Sequence, residues 1–140
     1  MRRRFPLPAQ ASHRRGVAAI EFALVAPFLI LIMLGMVVYG GWFWMAHSVQ
    51  SLASEGARAA IAGLDPVERE ALARDFVGAQ VGELGLRTDR ASVAVESTTS
   101  VLRVDVAYDV SDHPLMALAG IVPSPPRTIR RTAVVRLGGY

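Results

Sequence analysis

From Phe22 the chain runs 25 residues, through Ala46, without a charged side chain, and the apolar positions cover every face rather than one stripe. A helix of that length reaches across a hydrocarbon core of about 30 Å, and a soluble core helix is rarely apolar all round for so many turns. The pattern predicts a transmembrane helix over residues 17–46. Pro27 falls inside it and leaves one carbonyl without its usual donor, which predicts a kink. Gly35, Gly40 and Gly41 offer a small-residue face for close helix approach. Tyr39, Trp42, Phe43 and Trp44 gather at the far end, where an aromatic belt meets headgroups.

Beyond the span the apolar positions narrow to one face. Ser51, Ser54, Glu55 and Arg58 recur at i, i+3, i+4 and i+7, with Val49, Leu52, Ala53, Gly56 and Ala60 opposite, so the helix is expected to continue over 47–63 and stop at Gly63. Glu55 and Arg58 are spaced to pair at i,i+3. Asp65-Pro66-Val67-Glu68 then reads as a fresh helix start, with Asp65 as N-cap, Pro66 at N1 and Glu68 reaching back in a capping box. The second helix buries Leu72, Ala73, Phe76, Val77, Val81 and Leu84 and ends at Gly82 and Gly85.

After Gly85 the period changes to two. Val93 and Val95 share a face, and so do Leu102, Val104, Val106, Tyr108 and Val110. A third run over 128–137 aligns Ile129, Ala133, Val135 and Leu137, with Arg131 out of pattern. Asp105 and Asp109 face solvent or pair with Arg130 or Arg136. The apolar centre of the connection, residues 115–122, is expected to cap the buried face of the sheet, or else to form a subunit or membrane contact. The fold class is therefore α+β: a long N-terminal transmembrane helix extended beyond the membrane, then a small head (64–140) with one amphipathic helix and an antiparallel sheet of about three strands.

Charge predicts an orientation. The chain is 140 residues with a net charge of +3, but Arg2, Arg3, Arg4, Arg14 and Arg15 all precede the first acid, Glu21, and the remaining ten Arg are outnumbered by twelve acids. The basicity belongs to a short leader, residues 1–16, so no nucleic-acid partner is expected. The positive-inside bias puts the N-terminus in the cytoplasm and the head outside the inner membrane. A cleavable secretory signal shares the basic start, but its apolar run is shorter and a small-residue cut would have to follow the Trp-rich stretch. A twin-arginine signal is separated from the run by two prolines and a second Arg pair.

The absence of Cys and Lys removes disulfides, thiolate metal sites, and Cys or Lys nucleophiles. His13, His47 and His113 are scattered without metal-ligand spacing. No enzyme activity, cofactor, metal or small-molecule substrate is expected.

At the junction stands Arg14-Arg15-Gly16-Val17-Ala18-Ala19-Ile20-Glu21-Phe22-Ala23-Leu24-Val25-Ala26-Pro27-Phe28, and just after the span Ser54-Glu55-Gly56-Ala57-Arg58-Ala59-Ala60. The first block resembles type IV prepilins around their processing site. Together the two blocks, covering residues 14–60, resemble the TadE-like pseudopilins of tight-adherence (Flp pilus) systems, with Glu55, Gly56, Ala57 and Arg58 in the second motif and Ser54 where Arg is common. The resemblance implies cleavage between Gly16 and Val17 by a prepilin peptidase, and a role for Glu21 in meeting the free amine of a neighbouring subunit. A lone carboxylate in an apolar helix is in any case a functional candidate, the bland alternative being a charge at headgroup depth beside Arg14 and Arg15. The expected function is that of a minor pilin or pseudopilin-like inner-membrane subunit, its partners the peptidase, other pilin-like subunits and the tight-adherence secretion machinery. The alternative is a membrane-anchored exported interaction domain that is never cleaved and enters no filament.

Overall fold

A computed structural model describes residues 11–138; the side chains of residues 11–15 and 119 are outside that description. The leader reading rests on Arg2–Arg4 and on the side chains of Arg14 and Arg15, and so lies outside the described residues.

One continuous helix, α1 (Ala11–Ala60), runs through the end of the expected leader, the expected span and its extension. It closes with tighter i→i+3 bonds from Ile61, Ala62 and Gly63. The second helix, α2 (Pro66–Glu83), starts as the sequence predicts: the Glu68 N–H donates to the Asp65 carboxylate at 2.8 Å. The Glu68 carboxylate reaches one residue further back than a simple capping box, accepting from the Leu64 N–H at 2.7 Å. At the other end Gly85 has φ +69°, and Leu86 and Gly85 donate to the carbonyls of Val81 and Gly82. That is a Schellman stop, closed by buried Val81 and Leu86, and the left-handed turn is why glycine stands there.

Three strands follow, β1 (Ala91–Ser97), β2 (Val101–Asp109) and β3 (Thr128–Arg136), in an antiparallel sheet ordered β1-β2-β3. Leu102, Val104, Val106 and Tyr108 of the central strand are all buried, as alternation requires. α1 packs over β2 and β3, and α2 packs over α1 and β1, so the head core lies between the two helices and one face of the sheet.

Several expected pairings differ. Glu55 and Arg58 form no ion pair in the structure; both stay exposed on the solvent side of α1. Arg130 and Arg136 lie opposite Ala107 and Val101, with no acid across the ladder. Asp105 instead lies opposite Thr132 and accepts from its hydroxyl, and Asp109 turns to Arg90 at 3.3 Å. Arg131 occupies an inward position opposite Val106, half-buried, with its guanidinium donating to the Arg130 carbonyl at 3.0 Å.

The connection from β2 to β3 holds a 3-10 helix, Pro114–Gly120, which packs on α1 beside the sheet core rather than across the sheet alone. Leu115 and Met116 join the core there.

Candidate assembly segment: the unpacked half of α1

α1 has two environments. From Val38 onward it carries buried side chains at Met45, Ala46, Val49, Leu52, Ala53, Ala57 and Ala60, the inner face of the head. Over residues 17–37 nearly every side chain is exposed, with only Ala26, Leu34 and Gly35 half-buried. This is one helix long and apolar enough to cross a membrane, by length and composition, and its most apolar window makes no burying contact within the chain. Head contacts begin inside the stretch predicted as span, at Gly35 and Val38.

Gly16 and Val17 lie within α1, near its start. A side chain on Gly16 meets nothing within 4 Å, and Val17 is exposed. Their peptide bond is accessible but helical. A peptidase that reads an extended strand has to unwind it, and glycine in a helix lowers that cost by about 0.5–1 kcal/mol relative to alanine. Glu21 falls one turn after Val17 on the same helix face, exposed on the apolar surface. Pro27 sits inside α1 and, having no N–H, leaves the Ala23 carbonyl without its i+4 donor.

Of the three glycines expected to form a helix-contact face, two are occupied by the chain's own head. Leu115 lies directly over Gly41, with no room for a Cβ, and Val122 lies 3.7 Å from where a Cβ on Gly35 would stand. Gly40 alone of the three has open space beside it. The aromatic cluster divides too. Trp42 donates its indole N–H to the Pro126 carbonyl at 2.9 Å and stacks edge-on with Phe43, whereas Phe43 and Trp44 stay exposed.

The motif Glu55-Gly56-Ala57-Arg58 is split by burial. Glu55 and Arg58 are exposed, while Gly56 and Ala57 are buried at the crossing with α2. A Cβ on Gly56 would stand 3.0 Å from Val77 and 3.9 Å from Val104. The pair therefore lets the two helices approach closely; spacing along one helix places Gly56 on the apolar face but does not disclose α2 as what packs there.

One polar cluster has no local pattern in the sequence. Arg90 reaches Asp89, Asp109 and Asp112, Arg87 pairs with Asp89 at 2.7 Å, and the Arg87 N–H donates to the Tyr108 hydroxyl at 3.2 Å. Hydrogen bonds from Ser111, then the Arg90 charge, hold the Asp109 carboxyl below its ordinary value, and the Arg87 guanidinium does the same to Asp89. The cluster joins the end of β2 to the segment before β1. Its partners are up to 22 residues apart, so only the folded ladder brings them together. Among the described residues no group of three His, Asp or Glu side chains is placed to hold a metal ion.

Residues 16–58 match the family model described as TadE-like protein. No curated protein and no solved structure matches the chain. The match opens at Gly16 and closes at Arg58, so it takes in the Gly16–Val17 bond, Glu21, Pro27 and the Gly56–Ala57 crossing, and leaves α2 and the sheet outside it. Over residues 16–58, the helix that carries its exposed apolar half, the chain is similar to TadE-like proteins.

Proposed function

We propose that the chain is a minor pilin or pseudopilin-like subunit of a tight-adherence (Flp) pilus or related secretion system. In this reading residues 17–37 of α1 anchor it in the inner membrane with the N-terminus cytoplasmic, and the head lies outside. A prepilin peptidase removes residues 1–16, and Glu21 then faces the new Val17 amine of an adjacent subunit. Other pilin-like subunits and the secretion machinery are its partners.

The observation that carries the reading is the division of α1: one continuous helix whose second half is the spine of the head and whose first half presents an apolar surface broken by a single carboxylate. Such a surface is stable in lipid or against similar helices, not in water. Within a low-dielectric assembly an unpaired carboxylate is costly and a paired one is tolerated, so Glu21 favours one axial register between neighbours. The TadE-like match over the same residues supports this choice over an uncleaved anchor.

The test is expression of the full chain with and without a prepilin peptidase, followed by N-terminal sequencing and membrane fractionation. The reading predicts a membrane-retained product beginning at Val17 only when the peptidase is present. Gly16→Val is predicted to leave the precursor intact. Full-length chain under both conditions would favour the uncleaved anchored domain, and release into the medium would indicate a secretory signal.

A further inference from the structure

The 3-10 helix Pro114–Gly120 and the residues after it run along α1 toward its unpacked half. Leu115 lies on Gly41 and Val122 lies beside Gly35. The segment thus descends six positions of α1, about 9 Å at 1.5 Å per residue. Residues 17–37 extend about 31 Å by the same rise, close to one hydrocarbon thickness. If that stretch fills the hydrocarbon, Gly41 stands about 6 Å outside the boundary and Gly35 about 3 Å inside it.

The composition of the segment suits that depth. Residues 114–126 contain no charged side chain. Ile121 is 58% exposed while its neighbour Val122 is buried. Ile121 and Val122 both donate to the Leu118 carbonyl, at 2.9 and 3.1 Å, so neither N–H is bare at the deep end. On α1, just past the same boundary, Phe43 and Trp44 are 62% and 54% exposed, where aromatic rings favour headgroups. The Trp42 bond to Pro126 fixes the segment's far end to the helix at that height.

We propose that this segment is a membrane contact: Ile121 and its neighbours enter the headgroup–acyl boundary of the leaflet from which the head emerges. The inference rests on reading α1 as a membrane span. Lipid is the favoured occupant because the uncharged segment and its exposed Ile121 lie where α1 itself passes from hydrocarbon to headgroups, below the exposed rings of Phe43 and Trp44. The head is then seated on the bilayer at two places, α1 and the 115–122 segment, rather than swinging on a single helix.

The chain has no cysteine, so one introduced thiol is a unique label site. Ile121→Cys, Leu29→Cys in the middle of the span and Thr99→Cys at the β1–β2 turn are each labelled with a small fluorophore in the full chain. The proteins are reconstituted in phosphatidylcholine–phosphatidylglycerol vesicles. Quenching by lipids carrying a nitroxide at shallow or deep acyl positions is compared with quenching by aqueous iodide. Leu29 is expected to respond to the deep nitroxide and Thr99 to iodide alone. Ile121 is expected to respond to the shallow nitroxide and to lose most iodide quenching, and Gly120→Cys, where a side chain has open space, is expected to agree. An Ile121 label that behaves like Thr99 overturns the proposal, as does one shielded from both quenchers, which a second copy of the chain would produce. A Leu29 label that escapes the lipid quenchers overturns the span itself and the contact with it.

Discussion

Leu115 rests directly on Gly41, in the space a Cβ would occupy, and this contact fixes how far the head descends along α1. Replacing Gly41 by Val is predicted to destabilise the head by about 1–3 kcal/mol, the usual cost of overpacking a well-filled contact. Gly41→Ala should cost less, because the atom in the way is the end of a flexible side chain. Leu115→Ala should recover part of the Gly41→Val loss, so the pair should be coupled by about 0.5–3 kcal/mol in a double-mutant cycle. Thermal melts of the four proteins in detergent measure it; strict additivity would mean that the two residues do not touch.

The start of α2 makes a separate prediction. Asp65 caps the Glu68 N–H, and removing that acceptor in Asp65→Ala should cost about 1 kcal/mol. Asp65→Asn keeps an acceptor and should cost less. Denaturant melts of the two variants give the comparison.

Acid should weaken the head through Asp109 and Asp89. Both carboxyls are held below their ordinary value in the folded chain, so each contributes stability above its unfolded pKa, and that contribution is lost as pH falls through the lower folded value. The melting temperature is therefore predicted to fall as pH drops below about 4, the unfolded range for Asp. Asp109→Asn should flatten part of that slope while leaving the Asp89 part. An unchanged slope would show that the Ser111 and Arg90 contacts to Asp109 carry no linkage.

Most of the head was legible because each element declares its own period. The i,i+3,i+4 stripe of α2, the Asp65 cap and the alternation from Leu102 to Val110 are local patterns, and the structure repeats them. Where α1 passes from open surface into the head was not legible. Leu31 and Val38 are both apolar, yet one is exposed and the other buried against the fold, a difference set by residues far away in sequence. Gly35 and Gly41 illustrate the same limit: they read as a face for another helix, and the chain's own 115–122 segment occupies them. The Arg90 cluster and the Gly56 contact with Val77 depend on long-range placement as well. For Gly16, Val17 and Glu21 the informative signal was the motif, because the structure leaves all three exposed and without a partner from the described residues.

In the proposed reading the exposed half of α1 assembles with similar helices through Glu21. The span does not need that carboxylate, since a neutral glutamine in its place makes the helix no harder to insert. Glu21→Gln is therefore predicted to insert, to be cleaved and to accumulate normally, and to lose most co-purification with the other pilin-like subunits from solubilised membranes. The direct measurement is the amount of those subunits recovered with tagged wild-type and Glu21→Gln protein at equal expression. A marked loss at normal protein level is expected, and equal recovery would leave Glu21 an interfacial charge with no part in assembly.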